Sequence, residues 1–366
     1  MPLKLLVASS IPLSHFTIAA RGSLPQVKID RNTHRWQARM IRFQLALLGA
    51  AVLFLHAGNV IAADASHAWM SKHLRDHRLV GTVWKADGTQ VSVAEVMKTI
   101  QAADYILLGE IHTNPDHHIL QAAFISALVK SGRKPAIVFE MIPKNLQPKL
   151  DEVQSSAKFD VDDIGPAVQW QQRGWPSWML YKPIGAVARD ANLKLIAGDI
   201  DQQTRQAISK DGLSALSRTD LNRLELRSDG EQARRENLLN VLRNAHCGLL
   251  PETAVEKQVA VQQARDAFLA DSVLAGAVAS GDGAVLIAGS GHVRTDWGVP
   301  FYIALRNNSA KIVSVNFTEV SEGMETFRSY AGRDGQESHQ SDAYIFFTPK
   351  SDLTNPCKAI GTRTKK

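Results

Sequence analysis

The sequence predicts an α/β protein, with a mainly parallel β-sheet flanked by helices and a small inserted helical subdomain. Short, continuous apolar runs recur along the chain, as expected of strands that are buried on both faces of a parallel sheet. Segments with helical spacing of apolar residues separate these runs, which favours strand–helix–strand crossovers. From Gln202 to Ala279 the pattern is almost entirely helical, and this interruption predicts the inserted subdomain.

The predicted elements follow in chain order. A hairpin around Asp87-Gly88 comes first, and a helix over Val93–Gln101 follows it. Core strands are predicted at Tyr105–Gly109, Ala136–Phe139, Leu193–Gly198 and Ala284–Gly289. Helices are predicted at Ile119–Lys130, where Ser131-Gly132 is a stop signal, and at Ile184–Ala191. Three closing strands, which could be antiparallel, are predicted at Phe301–Leu305, Lys311–Phe317 and Ala343–Phe347.

The first 62 residues are typical of a targeting segment. Arg39 and Arg42 precede the apolar run Phe43–Leu55, and small residues around Ala62 follow it, which indicates a secretory signal. The run is shorter than the roughly 20 residues of a spanning helix, although an uncleaved anchor is the alternative. Met40 is an alternative start, because residues 40–62 form a complete signal by themselves. No cysteine lies near the expected cleavage site for lipid attachment, so we expect a periplasmic or exported protein whose membrane association is open.

Charge and cysteines narrow the expectations further. The whole net charge of +6 belongs to residues 1–62, so residues 63–366 are formally neutral and a nucleic-acid partner is not expected. The main domain is expected to span residues 63–348, with its helical insertion at about 202–256, and residues 349–366 to be a polar tail. Cys247 and Cys357 are the two cysteines, and whether they pair is open from sequence.

Polar residues follow the ends of four predicted strands. Glu110 and His112 follow the first, Glu140 the second, Asp199 the third and His292 the fourth. Carboxyl ends of parallel strands share one edge of the sheet, where α/β proteins bind ligands, so we expect these side chains to converge. The alternative is that single carboxylates cap helices, for which Asp199 is the strongest candidate.

Further candidates lie outside this cluster. His117 and His118 open a helix, where a cation opposes the helix dipole. An aromatic segment includes Trp175, Trp178 and Tyr181, and it is either a buried plug or a wall for a flat apolar ligand. His246-Cys247 is too short to be a zinc site by itself. The pair Arg265-Asp266, inside a helix, is expected to brace the carboxylates of the cluster rather than to perform chemistry.

These motifs together resemble one family. The motifs follow one another in the order Gly109-Glu110-x-His112-x-Asn114-x-x-His117-His118, Phe139-Glu140, Arg173-Gly174-Trp175, His246-Cys247, Arg265-Asp266 and Gly289-x-Gly291-His292. This order is similar to that of the ChaN family of bacterial haem-binding, iron-uptake proteins, in the Tiki/erythromycin-esterase superfamily. The resemblance covers about residues 77–347. It implies haem held between two protomers, with partners in the iron-uptake machinery and a tyrosinate ligand to iron. Many members are lipoproteins, and this chain departs from them by lacking the cysteine.

Carried over by position, Glu110, His112, Glu140 and His292 match the polar cluster of the superfamily. The haem site is our own choice of residues within this resemblance. Tyr181 is the expected iron ligand, assisted by His117 or His118, and Trp175, Trp178, Arg173 and His246 complete the haem-binding set. Arg173, Lys182 and Arg189 are the candidates to meet the propionates. The alternative function is a metal-dependent hydrolase in which Glu110, His112, Glu140 and His292 are catalytic or hold a divalent metal. A purely structural interaction module is a third interpretation.

Overall fold

The computed structural model describes residues 68–226, 232–330, 342–354 and 357. The predicted leader, residues 1–62, lies outside the described residues, and so does much of the predicted polar tail. Within the described part of the chain, no helix is both long and apolar enough to cross a membrane.

Eight strands form one mixed sheet. In chain order they are β1 (Val83–Lys85), β2 (Gln90–Val91), β3 (Tyr105–Glu110), β4 (Ala136–Pro143), β5 (Leu195–Asp199), β6 (Ala284–Gly289), β7 (Ile312–Glu319) and β8 (Asp342–Thr348). Their order across the sheet is β2-β1-β8-β7-β3-β6-β4-β5. The six strands from β8 to β5 are parallel, whereas β1 is antiparallel to β2 and β8. The predicted fold class is confirmed.

Eleven α-helices lie in the described part of the chain. They are α1 (Val93–Gln101), α2 (Pro115–Lys130), α3 (Gln147–Ser155), α4 (Ile164–Ala167), α5 (Trp178–Asp190), α6 (Gln202–Asp211), α7 (Arg218–Arg223), α8 (Gln232–Ala245), α9 (Glu252–Ser280), α10 (Val299–Arg306) and α11 (Phe327–Tyr330). Short 3-10 turns lie at Lys144–Leu146, Val161–Asp163 and Gly212–Ala215. The predicted helical segment after Gln202 therefore contains α6 to α9, while the domain boundaries drawn from sequence stay predictions.

The central strands are buried on both faces, as their uninterrupted apolar sequences require. Successive side chains of a strand point to opposite faces. Ile106 and Leu108 of β3 accordingly pack with one apolar cluster, which includes side chains of α1, α2 and α5. Tyr105 and Leu107 pack with the other, together with α9 and α10. The sheet therefore has one helical layer on each of its two faces.

Two predictions about the closing strands are wrong. The run Phe301–Leu305 lies in helix α10, which starts after Gly298 and carries Pro300 in its first turn. An apolar run of five residues does not by itself distinguish a strand from a buried helix segment, and the proline near the start favours a helix. The strands β7 and β8 are parallel to each other and β7 is parallel to β3, so among the eight strands described here β1 makes the antiparallel pairs, and a separate antiparallel bridge joins His73 to Lys350.

The outer strand β5 has its free edge covered by side chains. Gln147 of α3 accepts from the Ala197 N–H at 2.6 Å and donates to the Leu195 carbonyl at 3.1 Å. Gln154, two turns further along the same helix, accepts from the Leu195 N–H at 3.0 Å and donates to the Leu193 carbonyl at 3.1 Å. The two amides thus occupy the backbone groups that would otherwise pair with another strand.

Cys247 and Cys357 form a disulfide, with their Cα atoms 5.7 Å apart and 110 positions between them in sequence. The bond ties the turn between α8 and α9 to the C-terminal segment. It resolves the question that the sequence left open.

Candidate functional site

The predicted cluster lies at the carboxyl edge of the sheet. Glu110 ends β3, Asp199 ends β5, and His292 follows the end of β6. Glu140 lies within β4, at the point where the register with β5 shifts between Phe139 and Pro143. Because β3, β6, β4 and β5 are adjacent, four strands deliver their polar side chains to one place.

Glu110 is buried and accepts hydrogen bonds from four side chains. Its Oε1 accepts from the Tyr181 hydroxyl and from His112 Nδ1, the latter at 2.8 Å. Its Oε2 accepts from Gln121 Nε2 at 2.8 Å and faces His118 Nδ1 at 3.1 Å. Burial would raise the pKa of this carboxyl, but His118 and His112 outweigh burial and hold the pKa below its usual value. Glu110 is therefore a carboxylate.

The fully buried His118 is the cation that matches this carboxylate. Its Nε2 lies 3.1 Å from the carbonyl oxygen of His112, and its Nδ1 faces only the Glu110 carboxylate and the Gln121 side-chain oxygen. All of these are acceptors, so each ring nitrogen must donate a proton. Burial lowers the pKa of His118, but Glu110 raises it by a larger amount, so the pKa lies above its ordinary value.

A second buried network surrounds Glu140. Its Oε1 accepts from Arg265 Nη2 at 2.6 Å and lies 3.2 Å from His292 Nε2, and its Oε2 accepts from the Gly289 N–H at 2.6 Å. His292 Nδ1 donates to Asp266 at 2.5 Å. Against the effect of burial, Glu140 and then Asp266 raise the pKa of His292 to about 9. Arg265 contacts Glu140 and Asp199, as expected of a residue that braces the carboxylates, whereas Asp266 holds His292 instead.

His112 is the exposed imidazole of the cluster. Its side chain is 31% exposed, whereas His117, His118 and His292 are buried. Glu110 fixes the proton on Nδ1, so in the neutral ring Nε2 carries the lone pair, and among the described residues Nε2 has no hydrogen-bond partner. The ring meets Trp175 edge-on, with centroids 5.0 Å apart. The His112 ring is therefore held at Nδ1 by Glu110, while Nε2 has no hydrogen-bond partner among the described residues.

Gly289 makes room for this ring. A Cβ at that position would lie 3.1 Å from His112 Nε2 and 3.5 Å from Glu140 Oε2. The two side chains thus approach the same point from β3 and β4, over the end of β6. The convergence of Glu110, His112, Glu140 and His292 that the sequence predicts is present.

The predicted divalent-metal site is not supported. Within the described residues, no group of three or more His, Cys, Asp or Glu side chains is arranged to hold a metal ion. The reason is chemical, because His118 and His292 use both ring nitrogens as donors and have no lone pair for a metal. The oxygens of Glu110 and Glu140 are taken by donors from the protein.

Tyr181 and Trp178 lie in the core rather than at a surface for a ligand. The Tyr181 hydroxyl is buried and donates to Glu110, and burial, followed by Glu110, raises its pKa. A tyrosinate is disfavoured beside a carboxylate, which argues against the expectation that Tyr181 binds iron. Trp178 is 8% exposed and donates its indole N–H to the Val161 carbonyl. Both belong to α5, which begins six residues before the predicted Ile184.

His117 and His246 also make contacts that favour structural roles. His117 Nδ1 accepts from the Ile111 N–H at 2.9 Å and Nε2 lies 2.8 Å from the Thr348 hydroxyl, while burial, then His118, lowers its pKa to about 3. His246 Nδ1 donates to the Leu242 carbonyl beside the disulfide. In the described part of the chain, neither imidazole hydrogen-bonds to Glu110 or Glu140.

A cleft of about 520 Å³ opens beside the cluster. Its lining includes Glu140 from within β4, Asp199 from the end of β5, Arg173 and Trp175 from the aromatic segment, and Arg205 from α6. Asp199 does not cap α6, as had been an alternative, because Asp201 does so. Asp199 instead accepts from Arg205 and Arg265, at 2.8 and 2.7 Å.

Several residues of the site have no signal in a single sequence. Gln121 is one turn beyond His118 on α2, a spacing that places both on one helix face, but glutamine is ordinary on any helix. Gln262, which donates to Asp266 at 3.1 Å, is found only through the fold.

Comparison with known proteins gives one family and a set of similar folds. A family model described as haem-binding uptake, Tiki superfamily, ChaN matches residues 96–303. No curated protein matches the chain in sequence. Among solved structures, the chain is similar to haem-bound ChaN of Campylobacter jejuni, with 20% identity, 72% of this chain and 95% of that chain covered, and a TM-score of 0.54. A mutant erythromycin esterase in its open conformation has 14% identity, 66% and 78% coverage and a TM-score of 0.37. The likeness to the Campylobacter structure concerns the fold.

Proposed function

Because the chain belongs to the ChaN family of haem-binding uptake proteins of the Tiki superfamily, we propose that it binds haem in the cleft beside His112 and serves in haem uptake. The observation that carries this proposal is the state of His112. Its Nδ1 is anchored on the Glu110 carboxylate, and its Nε2 is free beside Trp175.

This arrangement suits an imidazole that binds iron. A histidine ligand commonly donates its other ring N–H to a carboxylate or carbonyl, which fixes the tautomer and raises the basicity of the binding nitrogen. The donor set therefore fits haem, since His112 would hold the iron and the half-buried Trp175 would contact the flat macrocycle. When bound, haem would supply the ferric iron that is the cargo of uptake. Glu110, with His118 behind it, would orient the ligand and keep its proton on Nδ1.

Two finer points of the proposal concern assembly and location. The Campylobacter protein is described as binding haem cofacially, and we infer that two copies of this chain likewise enclose haem between them. The segment that precedes residue 63 supports export, because its basic and apolar sequence is typical of a signal. Sedimentation with and without haemin tests the first point, and fractionation of the native host tests the second. A monomer at saturating haemin would reject the dimer, and a strictly cytosolic protein would reject export.

Titration with haemin tests the central claim. The wild-type protein should shift the Soret band and saturate at a fixed stoichiometry. His112→Ala should lose this shift or change its position, because the free nitrogen is gone. His246→Ala is the matched control, since that half-buried imidazole follows α8 and is bonded to the Leu242 carbonyl of the helix, and it should leave the spectrum unchanged. Tyr181→Phe should also leave the spectrum unchanged. A spectrum that responds to Tyr181→Phe and ignores His112→Ala would reverse the assignment.

The same geometry supports a second candidate, a hydrolase that needs no metal. A carboxylate that holds Nδ1–H leaves Nε2 able to accept a proton from water, which is the arrangement of a general base. Glu140 and the Gly289 backbone border the same point. Hydrolysis of a p-nitrophenyl ester in the presence of EDTA, abolished by His112→Ala and retained by His246→Ala, is the expected sign. If hydrolysis is no faster than the uncatalysed reaction, the hydrolase hypothesis is rejected.

A further inference from the structure

The cleft beside the cluster is rich in guanidinium groups. Arg173 and Arg205 both line it, and Arg265 lies behind its wall, between Glu140 and Asp199. Arg265 contacts both of these carboxylates, and Arg205 shares Asp199 with it. Three guanidinium groups thus face two carboxylates, and Arg173 has no ion pair with either of them.

Each of the two lining arginines keeps a donor without a partner. Arg173 Nε donates to the Val168 carbonyl at 3.0 Å, but its Nη2 is buried and has no hydrogen-bond partner within the described residues. Arg205 Nη2 donates to Asp199 at 2.8 Å, whereas its buried Nε likewise lacks a partner in the described part of the chain. Buried donors of charged groups are normally satisfied, so two unsatisfied ones beside the same cleft indicate a missing acceptor.

The electrostatics of the cleft point the same way. Burial, and then the neighbouring charge of Arg205, lowers the pKa of Arg173 to about 10. Two like charges at one wall are held there only at a cost, which an anion between them would relieve. The N-terminal half of α6, with Gln202 and Gln206, lines the same cleft, and the positive end of its dipole adds to this field.

We infer that Arg173 and Arg205 form a subsite for an oxyanion, a carboxylate or phosphate group of a bound molecule. The inference deepens the proposed function and rests on it only for the source of the anion. A haem propionate is one source, and free phosphate is the other. Arg205 is 43% exposed along its side chain, so it can adjust to present Nε without disturbing the core.

Three probes separate these sources. Haemin carries carboxylates, haemin dimethyl ester carries none, and inorganic phosphate carries the oxyanion alone. They are titrated into the wild-type chain, Arg173→Gln and Arg205→Gln. Arg243→Gln is the control, because Arg243 pairs with Glu252 on the protein surface and does not line the cleft. Circular dichroism verifies that each variant is folded, and Arg205→Gln carries the test if the half-buried Arg173 position is not tolerated.

The expected result is that each variant weakens haemin about tenfold or more, the loss of one charge-assisted bond, and leaves the dimethyl ester unchanged. If haemin is unaffected but phosphate binding to the wild type is lost in the variants, the subsite takes a free oxyanion. If no probe distinguishes the variants from Arg243→Gln, the inference is overturned. Failure of haemin to bind the wild type would reject the proposed function and leave the phosphate titration to decide the subsite.

Discussion

Replacing Glu110 with glutamine should be among the most destabilising single changes in this sheet. The carboxylate accepts from Tyr181, His112 and Gln121 and faces the imidazolium of His118, and neither Glu110 nor His118 has any side-chain exposure. Glu110→Gln replaces one accepting oxygen with an NH₂ group, which would then point at donors. Gln121 cannot relieve this by turning its amide, because its Nε2 also donates to the Leu108 carbonyl at 3.0 Å.

The magnitude follows from burial. Removing one partner of a buried ion pair leaves an uncompensated charge and costs about 3–5 kcal/mol. The matched control is Glu95→Gln, which removes the Lys85–Glu95 pair, 2.9 Å apart with side chains 37% and 47% exposed. An exposed pair of this kind contributes about 0–1 kcal/mol.

Urea unfolding at pH 7, followed by circular dichroism, gives the free energy of unfolding of the three proteins. A fall of about 3 kcal/mol or more for Glu110→Gln, with Glu95→Gln near wild type, is the expected outcome. If the two variants lie within about 1 kcal/mol of each other, then Glu110 is not the charged centre of a buried network, and the anchoring of His112 would need another explanation.

Three other predictions follow from the same contacts. The pKa of His292 rises from 6.5 to about 9 in the fold, so its contribution of about 3 kcal/mol to stability should be complete below pH 6.5 and be lost as the pH rises through 9. The urea midpoint of the wild type should therefore decrease between pH 6 and pH 10, whereas that of His292→Gln should change less over the same range. Gly289→Ala, whose Cβ would press on the His112 ring, should weaken haemin binding in a titration, whereas Gly291→Ala, with its nearest contact at 3.5 Å, should not; equal effects would contradict the role of Gly289. Reduction of the disulfide, which closes a loop of about 110 residues, should lower the free energy of unfolding by about 5 kcal/mol. If a thiol titration shows complete reduction and the urea midpoint is unchanged, this prediction is refuted.

Much of this site can be predicted from the sequence because parallel strands impose a common edge. Glu110, Glu140 and His292 each follow an apolar run, and once those runs are parallel neighbours their polar residues must meet. The burial of β3 on both faces can also be predicted from the sequence, because a strand covered on both sides lacks the alternation of polar and apolar residues.

What the sequence does not contain is the hydrogen-bond state of each side chain. His112, His117 and His118 lie within seven positions, yet one is free at Nε2, one is neutral and buried, and one is a buried cation. Those differences depend on acceptors that arrive from distant elements, such as Thr348 for His117. Tyr181 was assigned to iron by resemblance, and only the position of α5 reveals that its hydroxyl faces Glu110.

The amides of Gln147 and Gln154 have a consequence for how two copies of this chain would meet. Since they act as a substitute ninth strand along β5, the sheet ends there and cannot continue into a neighbouring molecule through backbone pairing. A symmetric pair around haem that met on the β5 side would therefore be joined by side chains rather than by a shared sheet.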